Sequence, residues 1–185
     1  MRVRYVSHPE VVVDPATPVP RWHLSGTGID RMRRFAAALP PPDALWASSE
    51  CKAIEAAGLF AARHGLPVGV HPGLDENDRS GTGFLPPEAF QAAADAFFAR
   101  PDESFRGWER ALDAQQRVLA AFHAVTASGG DLVLVGHGGT GTLLMCALAG
   151  LPIDRVHDAP GQGCHWLLEA GRLRHRWLPL ETLNG

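Results

Sequence analysis

Short apolar runs alternate along the chain with longer stretches of helical spacing. Residues 2–7, RVRYVS, read as a short strand that runs into His8. A proline-rich stretch follows, with Pro9, Pro15, Pro18 and Pro20. Proline fixes φ and lacks a backbone donor, so this stretch is neither helix interior nor central strand. Over 29–39, Ile29, Met32, Phe35, Ala36 and Leu39 fall on one helical face, and a PPPD run ends the helix. Residues 44–47 form a short apolar run. Helical spacing returns over 51–64, with Gly65 and Pro67 as stop signals. A short strand over 68–70 leads into a polar, glycine-rich loop over 72–85.

In the second half, the spacing predicts helices over 87–99 and 106–126. The latter carries Trp108, Ala111, Leu112, Gln115, Leu119, Phe122 and Val125 on one face, of which only Gln115 is polar. The run LVLV over 132–135 is continuously apolar between glycines, as in a parallel strand buried on both faces. An almost wholly apolar helix is expected over 140–149. Two strand-like runs, 163–168 and 173–177, flank Ala170 and Gly171 as a closing hairpin. Strands alternating with helices predict an α/β fold with a mainly parallel central sheet. No internal repeat and no long linker divides the sequence, so one domain over 1–185 is expected.

Composition narrows the class. With 45% hydrophobic and 20% charged residues, the chain is an ordinary globular one. A net charge of -3 argues against a nucleic-acid partner, which usually selects a basic excess. Arg31, Arg33 and Arg34 read as a solvated helix face. Cys51, Cys146 and Cys164 are odd in number and widely spaced, so neither a disulfide framework nor a paired-cysteine metal site is expected, and a reducing cytoplasm fits. The first residues lack the apolar core of a secretory signal. The apolar stretch over 132–152 is interrupted by GHGGTG, so no membrane span is expected. The apolar helix faces leave a homodimer open.

The chemistry gathers at two histidines. His8 ends the first strand, and His137 ends the long buried strand, followed by Gly138 and Gly139. In open α/β sheets, ligands bind beyond the carboxyl ends of the strands. Gly136, Gly138 and Gly139 leave backbone free to approach a ligand, and the helix that follows offers unpaired N–H groups to an anion. A lone strand-end histidine is a weak signal. Two of them, one in a glycine loop at a helix start, define a candidate anion site.

Several segments, in order, resemble the histidine phosphatase superfamily, also called phosphoglycerate mutase-like. Val6-Ser7-His8-Pro9-Glu10 stands where that family has Arg-His-Gly. Trp22-His23-Leu24-Ser25-Gly26-Thr27-Gly28 matches its WxLSxxG segment. Ser48-Ser49, followed by Lys52-Ala53 and Ala56-Ala57, matches Ser-Ser and an Arg-Ala-x-x-Thr-Ala helix start. Leu74-Asp75-Glu76 matches Leu-x-Glu, and residues 132–152 match the strand and helix around the second histidine. The resemblance implies a three-layer sandwich with helices on both faces of the sheet.

It also implies a site for phosphoryl transfer. His8 would be the nucleophile and His137 its partner on the transferring phosphoryl group. Glu76 would be the general acid, a role that needs a raised pKa. Asp75 and Glu10 are alternative acids. Lys52, Ser7, Arg21 and Gly138 would contact a small phosphorylated or anionic substrate. No metal or other cofactor is implied.

The departures concern charge. Ser7 replaces the arginine before the nucleophile, Pro9 the glycine after it, and Lys52 the second phosphate arginine. Arginine binds phosphate through a planar fork, lysine is a point charge and serine is neutral. Arg21 or Arg79 would have to supply the missing cation. Two functions follow: a phosphomonoester phosphatase working through phosphohistidine, or a phosphatase-like protein that binds an anion with weak or no catalysis.

Overall fold

The computed structural model describes residues 1–183. Its elements are β1 (Arg2–Ser7), α1 (Gly26–Ala38), β2 (Ala44–Ala47), α2 (Cys51–His64), β3 (Gly69–Val70), α3 (Pro87–Ala99), α4 (Ala111–Thr126), β4 (Leu132–Gly136), α5 (Gly138–Ala149), β5 (Cys164–Glu169) and β6 (Arg172–Pro179). The strands form one sheet in the order β3-β2-β4-β1-β5-β6. Strand β4 runs parallel to β1 and β2, and β2 runs parallel to β3. Strand β5 is antiparallel to β1 and to β6.

Alternate side chains of the central strands feed two cores, as the period of a strand requires. Val3, Tyr5, Leu132 and Leu134 pack with Val118 and Phe122 of α4 and Leu144 of α5. Val6, Val133 and Val135 pack on the other side with Met32 and Phe35 of α1 and Phe60 of α2. Helices therefore cover both faces in an α/β three-layer sandwich, and this is why β4 has no polar position.

Three helix starts differ from the sequence pattern. Helix α1 begins at Gly26 rather than near Ile29, because the Ser25 hydroxyl accepts from the Gly28 N–H at 3.0 Å and caps it. Helix α4 begins at Ala111 rather than Arg106. Arg106 and Gly107 have φ of 49° and 83°, a left-handed break that no α-helix tolerates. Trp108, placed on the helix by its spacing, instead lies ahead of it, buried with Phe97 and Phe98 of α3. Helix α5 begins at Gly138, two residues before the position expected from the apolar run. Gln115, the polar residue on the α4 face, donates its side-chain amide to the Leu143 carbonyl at 2.9 Å. The closing hairpin turns through Ala170 and Gly171, at φ of 49° and 73°.

The register fixes the site. Val6 pairs with Val135 and Ser7 with Gly136. The His8 N–H extends this ladder by one bond, to the Gly136 carbonyl at 2.9 Å. Two neighbouring parallel strands thus deliver His8 and His137 side by side beyond their carboxyl ends.

Candidate active site

The rings of His8 and His137 lie edge to face, with centroids 5.3 Å apart. His8 Nδ1 is 2.9 Å from the Pro9 carbonyl oxygen. A carbonyl only accepts, so Nδ1 carries the proton and Nε2 keeps its lone pair. Burial lowers the pKa of His8 to about 3, with help from His137 and Lys52. The imidazole is therefore neutral near pH 7, as a nucleophile requires.

His137 is fully buried. Its Nε2 lies 2.7 Å from the Ser48 hydroxyl and 3.5 Å from Glu50 Oε1. Burial also holds its pKa at about 3, against the opposing charge of Glu76. Its backbone N–H donates to the Tyr5 hydroxyl at 3.0 Å. Tyr5 is itself buried and stacked on Trp166, with centroids 5.1 Å apart. Gly136 makes this possible, since a Cβ there would stand 2.2 Å from the Tyr5 hydroxyl oxygen.

Glu76 occupies an unexpected role. Its carboxylate accepts from the N–H groups of Thr140 at 2.8 Å and Gly139 at 3.2 Å. The anion expected at the start of α5 is therefore the protein's own. Burial pushes the Glu76 carboxyl up, but His137, Arg79 and the N–H groups of Thr140 and Asn77 outweigh it and hold it at about 2. The raised pKa expected for a general acid is not found. Gly139 serves the same contact, because a Cβ there would meet Glu76 Oε1 at 2.9 Å. Gly136 and Gly139 thus admit side chains of the protein, where the sequence suggested an approaching ligand. Gly138 is half-buried, and a Cβ there would meet only Ala159, at 3.8 Å.

Two of the expected phosphate contacts are engaged elsewhere. The Ser7 hydroxyl accepts from the Cys164 N–H at 3.0 Å and donates to the Cys164 carbonyl at 3.2 Å, fastening β1 to β5. Lys52 is 2% exposed, and its ammonium donates to the Val19 carbonyl at 3.0 Å and to the Glu50 carboxylate. Its charge is matched within the protein. Arg21 is exposed at the end of a short 3-10 turn, Val19–Arg21. Among the alternative acids, Asp75 accepts from the Ser49 N–H and hydroxyl, both at 2.6 Å, and Glu10 pairs with Arg31 at 2.8 Å. Ser48 and Ser49 hold His137 and Asp75, and Glu50 takes the N-cap position of α2. His23 is exposed and paired with Glu55 at 2.5 Å.

A cleft of about 1010 Å³ opens over this region. Pro18, Arg21, Glu50, Glu76, Arg79 and Phe84 are among its walls. Glu50 both lines the cleft and approaches His137, whereas neither His8 nor His137 is among the cleft's walls. The proline-rich wall is anchored by the Trp22 indole N–H, which reaches the carbonyls of Asp14 and Thr17, both at 2.9 Å. Arg79 lies over the rings of Phe90 and Trp108, at 5.2 and 5.7 Å. No carboxylate pairs with it among the described residues.

Sequence inspection missed Glu50, Tyr5 and Arg117. Arg117 donates to the carbonyls of Gly73, Asp75 and Glu76, so a helix-α4 side chain holds the loop that carries Glu76. Nothing local marks that role. Glu50 did carry a signal: an acid two residues before a lysine that needed a partner. Among the described residues, no group of three or more His, Cys, Asp or Glu side chains is placed to hold a metal. None of their helices is long and apolar enough to cross a membrane.

The fold and site define a mainly parallel α/β protein with a histidine beyond each of two adjacent strand ends, and comparison with known proteins gives its family. Residues 18–170 match the histidine phosphatase superfamily (branch 1), and the chain belongs to that family. The matched span begins after His8. The chain is similar to a mycobacterial glucosyl-3-phosphoglycerate phosphatase solved with inorganic phosphate, at 22% identity and a TM-score of 0.80, over 97% of this chain and 98% of that one. It is also similar to an alpha-ribazole phosphatase from Shigella flexneri, at 19% identity and a TM-score of 0.71, over 96% of each chain. YhfR of Bacillus stearothermophilus shares 19% identity at a TM-score of 0.75, over 95% of this chain and 94% of that one. At such identities the likeness carries the fold. No curated protein sequence matches the chain.

Proposed function

We propose that this protein is a phosphatase that hydrolyses a phosphomonoester through a phosphohistidine on His8. The observation that carries this is the bond from His8 Nδ1 to the Pro9 carbonyl, which leaves Nε2 as a neutral nucleophile opposite His137. In the proposed reaction, His8 Nε2 attacks phosphorus and the bond to the ester oxygen breaks. The ester oxygen leaves with a proton, and water then cleaves the P–N bond and restores His8. His137 stabilises the charge on the transferring group.

Glu76 is the proposed proton donor, by its place in the family pattern. A phosphoryl group of like charge arriving beside it raises its pKa from this low value. Arg79 is the proposed cation, since it has no carboxylate partner among the described residues, lines the cleft and lowers the pKa of both Glu76 and His137. Arg21 and Gly138 remain proposed contacts at the rim and at the start of α5. The name of one structural relative, a glucosyl-3-phosphoglycerate phosphatase, suggests a substrate with an anionic or sugar-like leaving group.

The test is a phosphatase assay over a panel of phosphomonoesters, run beside His8→Ala. Turnover by the wild type and its loss in His8→Ala is the expected result. Turnover that survives His8→Ala would exclude His8 as the nucleophile.

A second reading, an anion-binding protein with weak or no catalysis, draws on a specific observation. Ser7 and Lys52, both expected at the phosphate, are bound to Cys164 and Glu50. Saturable phosphate binding without turnover of any panel member would favour it.

A further inference from the structure

We infer that Glu50 is a built-in anion that competes with the substrate's phosphoryl group for the donors of the site, so that the site favours a singly charged phosphoryl group over a dianion. The inference deepens the phosphatase reading and rests on its placement of the phosphoryl group beside His8 and His137.

Three groups that could serve a phosphate oxygen converge on this one carboxylate. The Glu76 N–H donates to Glu50 Oε1 at 3.0 Å. The Lys52 ammonium donates to Oε2. His137 Nε2 stands 3.5 Å from Oε1. The carboxylate is 7% exposed, and Glu50 lines the cleft while neither histidine does, so an anion in the cleft faces this carboxylate. The N–H groups of Gly139 and Thr140, at the start of α5, are occupied by Glu76.

Charge counting gives the selectivity. The histidines and charged groups around Glu50 and the cleft it lines are Lys52 from α2, His8 and His137 beyond β1 and β4, Arg21 ahead of α1, Asp75, Glu76, Asp78 and Arg79 from the loop after β3, and the Glu109–Arg117 pair at α4. Both histidines are neutral near pH 7. Lys52 is cancelled by Glu50 and Arg117 by Glu109, and Asp75, Glu76 and Asp78 already exceed Arg21 and Arg79. A dianion therefore enters a region with no surplus positive charge. Removing the Glu50 charge would release Lys52 for it, at short range and away from water, where such interactions are strongest.

The experiment measures binding by titration calorimetry for the wild type and Glu50→Gln. The probes are inorganic phosphate and dimethyl phosphate, at about pH 8, where phosphate is mainly a dianion because its second pKa is about 6. Glutamine keeps an acceptor for Lys52 and for the Glu76 N–H. Glu50→Gln is expected to bind phosphate at least about tenfold more tightly than the wild type, with a much smaller gain for dimethyl phosphate. Unchanged or weaker phosphate binding in Glu50→Gln, an equal gain for both probes, or no binding of either probe by either protein would overturn the inference. If the variant does not fold, the wild type is titrated with phosphate in buffers of different ionisation enthalpy. Net proton uptake with phosphate and none with dimethyl phosphate supports the inference, and phosphate binding without proton uptake overturns it. Tighter phosphate binding by Glu50→Gln in a protein that turns over no phosphomonoester would sustain this inference while removing the phosphatase reading. Turnover lost in His8→Ala, with no gain from Glu50→Gln, would do the reverse.

Discussion

The carboxylate of Glu76 accepts a hydrogen bond from the backbone N–H of Thr140 at 2.8 Å, so a loop residue caps a helix more than sixty positions along the chain. Helix α5 begins directly after His137, and this cap positions the second histidine as well as the helix. Glu76→Ala is expected to cost about 1–2 kcal/mol, the range for losing a good N-terminal cap. Glu76→Gln keeps one acceptor and should cost less. Urea denaturation of the two variants checks the order, and equal stability of Glu76→Ala and the wild type would remove the capping role.

Stability should fall in acid, and the histidines set the range. His8, His137 and His165 titrate at about 3 in the fold, against about 6.5 in an unfolded chain. Between those values the unfolded chain binds more protons, so stability falls as pH drops from about 6.5 towards about 3. Glu76, at about 2, continues the loss below about 4.3. Urea midpoints measured across this range should decline steadily. His137→Gln should decline less steeply, and parallel curves would show that His137 contributes nothing.

Tyr5 and Gly136 should behave as a coupled pair. Tyr5→Phe leaves the buried His137 N–H without its acceptor, at a cost of about 1–3 kcal/mol. Gly136→Ala drives a methyl into the Tyr5 hydroxyl and should cost a similar amount, about 1–3 kcal/mol. In a Tyr5→Phe background, the alanine meets no hydroxyl, so its cost should shrink. A double-mutant cycle reads this directly, and additive costs would contradict it.

The proposed nucleophile predicts a trapped intermediate. Rapid quenching of the wild type with a substrate radiolabelled at phosphorus should yield a phosphoprotein that is lost in acid and kept in base, as expected of phosphohistidine. His8→Ala should yield none. Equal labelling of both proteins would move the covalent step to another residue.

Much of the architecture was legible because it rests on short-range patterns. The unbroken apolar run of β4 announced a strand covered on both faces, and the two cores against α1, α2, α4 and α5 are what cover it. The hairpin around Ala170 and Gly171 was visible in its turn residues. Trp108 was misplaced onto a helix because helical spacing says nothing about the left-handed pair Arg106 and Gly107 just before it.

At the site, the chain by itself determined that His8 and His137 end two strands and that their surroundings depart in charge from the family pattern. Strand identity and glycine content are local properties, and they are written in consecutive residues. Only the tertiary structure decided what surrounds the pair. It placed His8 beside His137 through the register of β1 on β4, turned Ser7 towards Cys164, matched Lys52 with Glu50, and set Glu76 on the start of α5. These are contacts between elements far apart in sequence, chosen by burial: a charge or hydroxyl removed from water must find a partner, and which partner is near depends on how the layers pack.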